Sequence, residues 1–207
     1  PGTTFVTLDE VERKLSDKDL MICNTEEPMC IAGVFGGLDS GTTEQTVDVF
    51  LESAYFNPTW VRKTARRHGL STDSSFRFER GIDPNGTIYA LKEAALLVQE
   101  LAGGTISSEI KDNYPAPIAD FTVELNYEKV HSLIGKTIPV ETIKSIVTSL
   151  EMKIVNETPE GLTLQVPPYR VDVQRDCDVV EDILRIYGYN NVEIPTTLKS
   201  SLTTKGE

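Results

Sequence analysis

Two stretches of the chain combine residue types that do chemistry. The first runs Arg66-Arg67-His68-Gly69-Leu70-Ser71-Thr72-Asp73-Ser74-Ser75-Phe76-Arg77-Phe78-Glu79-Arg80-Gly81-Ile82-Asp83-Pro84. A packed element has no use for so many hydroxyls, charges and turn formers in one run, so this stretch reads as part of a site. Upstream of it Glu52 puts a carboxylate among Val49, Phe50, Leu51, Ala54 and Tyr55. Such a carboxylate either turns to solvent at a strand edge or accepts a hydrogen bond from a hydroxyl held in an apolar pocket. Gly36-Gly37 closes the apolar run Met29 to Phe35. Paired glycines make a turn, or they present backbone without side chains, whose amides can bind a developing oxyanion.

The second stretch holds Asp172, Asp178, Glu181 and Asp182. Oxygen ligands so clustered can take a hard cation, and acidic residues at a helix N-terminus are also stabilising in themselves.

Charge narrows the possible functions. Lys plus Arg number 20 against 32 Asp plus Glu, a formal −12, which excludes coating nucleic acid by general electrostatics. Local contact remains open, because Arg62, Lys63, Arg66, Arg67, Arg77 and Arg80 face only Asp73 and Glu79 within residues 55 to 80. The four on the helix lie about a turn apart, and they form either a phosphate-facing patch or a solvated helix face. Cys23, Cys30 and Cys177 are odd in number and lack the spacing of a zinc site or a disulfide framework, as expected of idle thiols in a reducing cytoplasm. No apolar run has the ~20 residues of a membrane helix, and the start at Pro1 without Met reads as a piece cut from a longer protein.

The elements that would position these groups follow from local signals. Thr3 to Leu8 and Leu20 to Cys23 predict short strands with a charged turn between them, and Met29 to Phe35 a buried strand entering the Gly36-Gly37 loop. Val47 to Tyr55 predicts another strand. Asn57-Pro58 opens a helix to His68 that Gly69 stops, and Asp83-Pro84 opens a second, with Ile88, Leu91, Ala95, Val98 and Ala102 on one face, ending at Gly103-Gly104. Pro115 and Pro117 mark a boundary between a domain over 1–117 and a smaller one over 118–194. The second domain predicts a strand to Asn126, helices Tyr127 to Ile134 and Val140 to Leu150, strands Lys153 to Val155 and Leu162 to Val166, and a helix Asp176 to Tyr187. Residues 195–207 read as a loosely ordered tail or linker. The fold class expected is α+β: a mixed α/β domain followed by a small, mainly helical one.

The stretch Arg66 to Pro84 closely resembles the signature of the editing domain of bacterial-type phenylalanyl-tRNA synthetase β subunits. The resemblance extends to Ile31 to Gly41 (IAGVFGGLDSG) and Val49 to Pro58 (VFLESAYFNP), in the family's order and spacing. It implies a pocket that hydrolyses tyrosine-mischarged tRNA(Phe), with Gly36, Thr72 and Ser74 at the reacting ester and Glu52, Gly37, Arg66 and Arg67 binding the substrate. Ser74 stands where relatives often have alanine. The resemblance also implies upstream editing segments, including a pocket histidine, which this sequence lacks. A site that hydrogen-bonds the tyrosine hydroxyl rejects phenylalanine strongly, because the buried polar groups would be left unpaired. His68 and His131 assemble no Ser-His-Asp or Cys-His arrangement, so the expected chemistry is attack by a positioned water, helped by backbone amides and Thr72, without a covalent enzyme intermediate. His68 itself reads as a helix-end residue.

Arg170-x-Asp172, then Asp178, Glu181-Asp182 and Arg185-Ile-Tyr-Gly-Tyr189 are similar to a second segment of the same family. That similarity implies a Mg2+ site shared with the α subunit of an α2β2 heterotetramer. ATP would be used by the parent enzyme and not bound by this chain, and the partners would be the α subunit and the aminoacyl end of tRNA(Phe). The family's domain here is likened to DNA-binding modules, yet 9 basic against 14 acidic residues over 118–207 gives −5 and argues against DNA. The alternatives carried are an editing-inactive scaffold of the same synthetase and a free-standing nucleic-acid-binding protein.

Overall fold

A computed structural model describes residues 2–194. The chain divides into two compact units, Pro1–Ile118 and from Ala119 on. The expected tail, 195–207, lies outside the described residues.

The first unit opens with a hairpin of β1 (Thr4–Val6) and β2 (Glu12–Lys14), with Phe5 opposite Arg13. The charged stretch expected as a turn is thus partly a strand. Its residues, Glu-Arg-Lys, carry no apolar alternation, and it is strand only because β1 supplies the ladder partner. Its turn is fastened by Asp9, whose two carboxylate oxygens each accept from the Arg13 guanidinium at 2.8 Å.

Next come β3 (Met21–Cys23), β4 (Pro28–Ile31) and β5 (Phe35–Gly36), antiparallel in that order. Met29 to Phe35 is therefore not one strand. The chain reverses at Ala32–Val34, where the Val34 amide donates to the Ile31 carbonyl at 2.9 Å and Gly33 takes φ +66°. Ile31, Ala32 and Val34 are all buried, so arms and tip alike are apolar and the pattern hides the turn.

Val47 to Tyr55 forms no strand. Among the described residues it has no ladder partner, and Val47 and Phe50 are 91% and 95% exposed. Apolar β-formers do not make a strand unless a neighbour takes their backbone hydrogen bonds.

Helix α1 (Pro58–His68) begins as expected: the Asn57 side chain accepts from the amides of Thr59 and Trp60, and Gly69 ends it in the left-handed conformation. Val61 and Ala65 pack onto a core with Phe5, Leu15, Ile31 and Val34. A short helix α2 (Asp73–Phe78) follows. Then comes α3 (Thr87–Ala102), which starts after Asp83-Pro84 because the Asp83 carboxylate first turns the chain by accepting from the Asn85 amide. No residue of α3 is buried.

In the second unit β6 (Phe121–Asn126), β8 (Gly161–Val166) and β7 (Lys153–Thr158) form an antiparallel sheet with β8 in the middle. Helices α4 (Tyr127–Ile134), α5 (Val140–Ser149) and α6 (Asp176–Tyr187) complete it. Leu162, Leu164 and Val166 share one core with Val130, Ile143, Val147, Val179 and Ile183. Gly161 is required by close approach, since a Cβ there would lie 2.1 Å from the Leu125 carbonyl oxygen. Helices and antiparallel sheets together make the chain α+β. No helix among the described residues is long and apolar enough to cross a membrane.

Candidate functional site

The signature stretch is anchored to the β4–β5 turn through Thr72. Its hydroxyl donates to the Val34 carbonyl at 2.6 Å and accepts from the Ser75 amide at 3.0 Å. The Ser75 hydroxyl in return accepts from the Thr72 amide at 2.9 Å, closing a reciprocal cap on α2. Ser75, buried at 3% exposure, is a positioning residue that the sequence reading passed over. Its signal was the Thr-x-x-Ser spacing itself, a variant of the capping box. Ser74 lies in the first turn of α2, half-buried, with no side-chain hydrogen bond among the described residues.

The same hairpin carries the glycines. Gly36 stands opposite Cys30 across the β4–β5 ladder, and the Cys30 thiol donates to the Phe35 and Ile31 carbonyls at 3.4 Å. The Gly37 amide is taken by the Met29 carbonyl at 2.8 Å, and a Cβ on Gly37 would sit 2.7 Å from both that oxygen and the Phe5 ring. Gly37 is thus a packing glycine whose N–H is engaged. Gly33 also matters, because besides its positive φ a Cβ there would lie 2.9 Å from Phe56.

Glu52 lies in the segment that has no ladder partner among the described residues. It is exposed as a residue, yet partial burial of its carboxyl raises its pKa. The Cys30 thiol is pushed up to about 11, first by burial and then by the charge of Glu52. The next residue fixes the segment in place: the Ser53 hydroxyl donates to the Thr87 carbonyl at 2.8 Å, at the start of α3. Cys30 was read from sequence only as an idle thiol, since nothing local signals that the charge of Glu52 acts on it.

The basic residues part company. Arg62, Lys63 and Arg66 are exposed and make no ion pair among the described residues. Arg67 instead pairs with Asp19, together with His68, whose Nε2 lies 2.7 Å from the other carboxylate oxygen. The Thr64 hydroxyl donates to Asp19 at 3.0 Å, and the Ser16 amide also donates to Asp19, at 2.8 Å. The Asp19 side chain is fully buried. Burial alone would raise its pKa, but the Ser16 amide, His68 and Thr64 outweigh it and hold the pKa below the ordinary value. His68 and Arg67 thus fasten α1 to the loop before β3.

In the second unit Asp178 accepts from the Arg175 amide at 2.9 Å and from the Arg175 guanidinium at 2.7 Å, which holds its carboxyl far below the usual range. Asp182 accepts from Arg170 at 2.7 Å in a pair that is 16% and 13% exposed. Burial pushes the Asp182 carboxyl up, Arg170 opposes this, and Asp172 adds to the rise. Glu181 points to solvent near Arg185. Oxygen donors suit Mg2+, but among the described residues no three carboxylates converge into a cation cage. As folded, the described residues do not by themselves enclose the metal.

Family models match both units: the B3/4 domain over residues 1–103 and the tRNA synthetase B5 domain over 123–189. Phenylalanine–tRNA ligase β subunits align along essentially all of the chain. That of Bacteroides fragilis is 84% identical over 206 residues, covering 100% of this chain and 25% of its own length. The chain belongs to the phenylalanine–tRNA ligase β-subunit family. The subunit of Porphyromonas gingivalis is 57% identical over 97% of the chain and 24% of its own length, and that of Syntrophus aciditrophicus 43% identical over 93% and 24%. The chain thus spans about a quarter of the length of the β subunits it matches.

Proposed function

We propose that the first unit contributes to hydrolytic editing of tyrosine-mischarged tRNA(Phe) within an ATP-dependent phenylalanine–tRNA ligase. The observation that carries this reading is the Glu52 carboxyl, partly desolvated and with its charge acting on the Cys30 thiol of the hairpin to which Thr72 ties the signature stretch. Glu52 accepts the hydroxyl of a bound tyrosyl group, and phenylalanine, lacking it, leaves a carboxylate without a partner. Water adds to the ester carbon, the tetrahedral oxyanion is met by backbone N–H groups near Gly36, and the bond to the ribose oxygen breaks to give free tyrosine and the tRNA hydroxyl. Thr72 and Ser75 hold the geometry, while Ser74 lines the approach.

Further parts of the reading concern the whole enzyme. The chain spans a domain over 1–117, a second over 118–194 and a linker beyond, in a cytoplasmic α2β2 enzyme that binds tRNA(Phe). Arg66 and Arg67 lie on the side where the tRNA end approaches. Asp172, Asp178, Glu181 and Asp182 complete a Mg2+ site only with the α subunit, and ATP binds elsewhere in the enzyme.

The test is hydrolysis of tyrosyl-tRNA(Phe) by the whole ligase carrying Glu52→Ala, with phenylalanyl-tRNA(Phe) as competitor. Loss of discrimination supports the reading, and unchanged discrimination removes Glu52 from it. A second reading, an editing-inactive scaffold, is favoured by the engagement of the Thr72 hydroxyl with Val34 and of the Gly37 amide with Met29. It predicts no tyrosyl-tRNA hydrolysis by the wild-type ligase.

A further inference from the structure

Asn85-Gly86, in the turn that leads from Asp83 into α3, is the chain's only Asn-Gly pair. Pro84 is buried and the Asp83 carboxylate accepts from the Asn85 amide at 2.9 Å, so the first half of the turn is held. The Asn85 side chain is not: it is exposed and makes no hydrogen bond among the described residues. Asn24, Asn57 and Asn126, by contrast, each spend the side-chain oxygen on backbone amides.

Gly86 supplies the other half of a reaction. With no Cβ, it leaves its own nitrogen open to the preceding side chain. That N–H donates to the Asp83 carbonyl at 3.3 Å, longer than a well-formed N–H···O bond, and is loosely held.

We propose that Asn85-Gly86 is a site of spontaneous modification, where Asn85 deamidates to isoaspartate and aspartate and the isoaspartyl form releases the tie between Ser53 and α3. The Gly86 nitrogen gives its proton to solvent base and attacks the carbonyl carbon of the Asn85 side chain. A C–N bond closes a succinimide ring, and the side-chain nitrogen leaves as ammonia, taking a proton from water. Water then adds to one of the two ring carbonyls and breaks its bond to the Gly86 nitrogen. Opening at the backbone carbonyl gives isoaspartate, and opening at the side-chain carbonyl gives aspartate. Water is the only co-reactant.

The isoaspartyl product routes the main chain through the former side chain, adding a methylene two residues ahead of Thr87. The Thr87 carbonyl accepts from the Ser53 hydroxyl at 2.8 Å, and no residue of α3 is buried to fix its first turn by packing. The displacement therefore falls on the Ser53–Thr87 bond, which fastens the segment next to Glu52. The helix itself tolerates the change, because its first turn holds no acidic residue and negative charge is favoured there. The proposal holds whether or not the first unit hydrolyses tyrosyl-tRNA.

The experiment ages the 207-residue chain in warm, mildly alkaline buffer. Peptide mass mapping follows conversion, and an isoaspartyl carboxyl methyltransferase with labelled methyl donor marks the isoaspartyl form. The peptide containing Asn85 is expected to gain the mass difference between a carboxyl hydroxyl and an amide group, and to take the label. Gly86→Ala, at an ordinary φ of −83° with the Asp83 carboxylate 3.2 Å from the new Cβ, should slow conversion about tenfold or more. Chymotrypsin should cut between Val47 and Tyr55 severalfold faster in the aged chain, as it should in fresh Ser53→Ala. Aged Gly86→Ala and fresh Asn85→Asp, which carries the charge without the longer backbone, should keep the starting rate.

An Asn85 that converts in the unfolded chain and not in the folded one overturns the proposal. So does label spread evenly over the other asparagines, or label at Asn85 with cutting unchanged. Asn85→Asp cut as fast as the aged chain overturns the role given to the lengthened backbone.

Discussion

The hydroxyl of Thr72 donates to the carbonyl of Val34 across 38 positions of sequence, at 2.6 Å, and joins the start of α2 to the tip of the β4–β5 hairpin. Thr72→Val removes both this bond and the cap on the Ser75 amide while keeping the side chain's shape. The expected cost is about 2 kcal/mol, read as a lower denaturation midpoint at unchanged slope, and Thr72→Ser should recover most of it. A Thr72→Val chain as stable as wild type, yet inactive in hydrolysis, would return Thr72 to a direct chemical role.

Asp19 makes the first unit sensitive to acid. Its folded pKa lies below the ordinary 3.8, so the stability it contributes is complete above that value and drains away as pH falls through the folded pKa. Asp19→Asn should flatten the acid limb of the stability profile below about pH 5. Asp19→Ala, which strands Arg67 and His68, should cost on the order of 3 kcal/mol at neutral pH. An acid limb of wild-type steepness in Asp19→Asn would show that another carboxylate governs it.

Glu52 has the opposite sign. Burial raises its folded pKa above 4.5, so its ionised form is disfavoured by folding and a small destabilisation sets in as pH climbs through that pKa. Glu52→Gln should therefore leave stability at neutral pH equal or slightly higher. In the whole ligase the same variant should lower the tyrosyl-to-phenylalanyl ratio of kcat/KM by on the order of a hundredfold. Wild-type discrimination should improve as the carboxylate ionises with rising pH, and a ratio flat from pH 4 to 7 would count against Glu52 as the acceptor.

The Arg170–Asp182 pair closes the loop ahead of α6. Asp182→Ala should lower stability by about 3 kcal/mol, since it leaves a guanidinium largely enclosed without its partner. Because the carboxylates here are drawn to arginines, millimolar Mg2+ should shift the melting temperature of the chain by less than about 1 °C. A rise of several degrees, lost in Asp172→Asn, would show that the cluster rearranges around the ion without a second subunit.

What could be read along the sequence was local. Asn57-Pro58 and Gly69 set both ends of α1, Pro139 and Gly135 framed the helices of the second unit, and the Gly-Leu-Thr-Leu-Gln-Val alternation marked β8. Caps, stops and face periodicity act within a few residues, and they survive any tertiary context. Three linked motifs in fixed order sufficed to place the chain in its family.

Strand partnership was not legible in the same way. Val47–Tyr55 has the composition of a strand and is none, Glu12–Lys14 lacks it and is one, and Met29–Phe35 conceals a reversal at Gly33. A strand exists only where another backbone takes its hydrogen bonds, and that neighbour is chosen by the fold. The candidate site follows the same division. Sequence alone determined which residues have chemistry to offer: Glu52, Thr72, the glycines and the arginines of α1. Tertiary structure decided that the charge of Glu52 acts on Cys30, that the Thr72 proton goes to Val34, and that Arg67 is spent on Asp19 while Arg66 faces solvent. Those outcomes depend on distances through space between segments 22 to 48 residues apart, which no local pattern encodes.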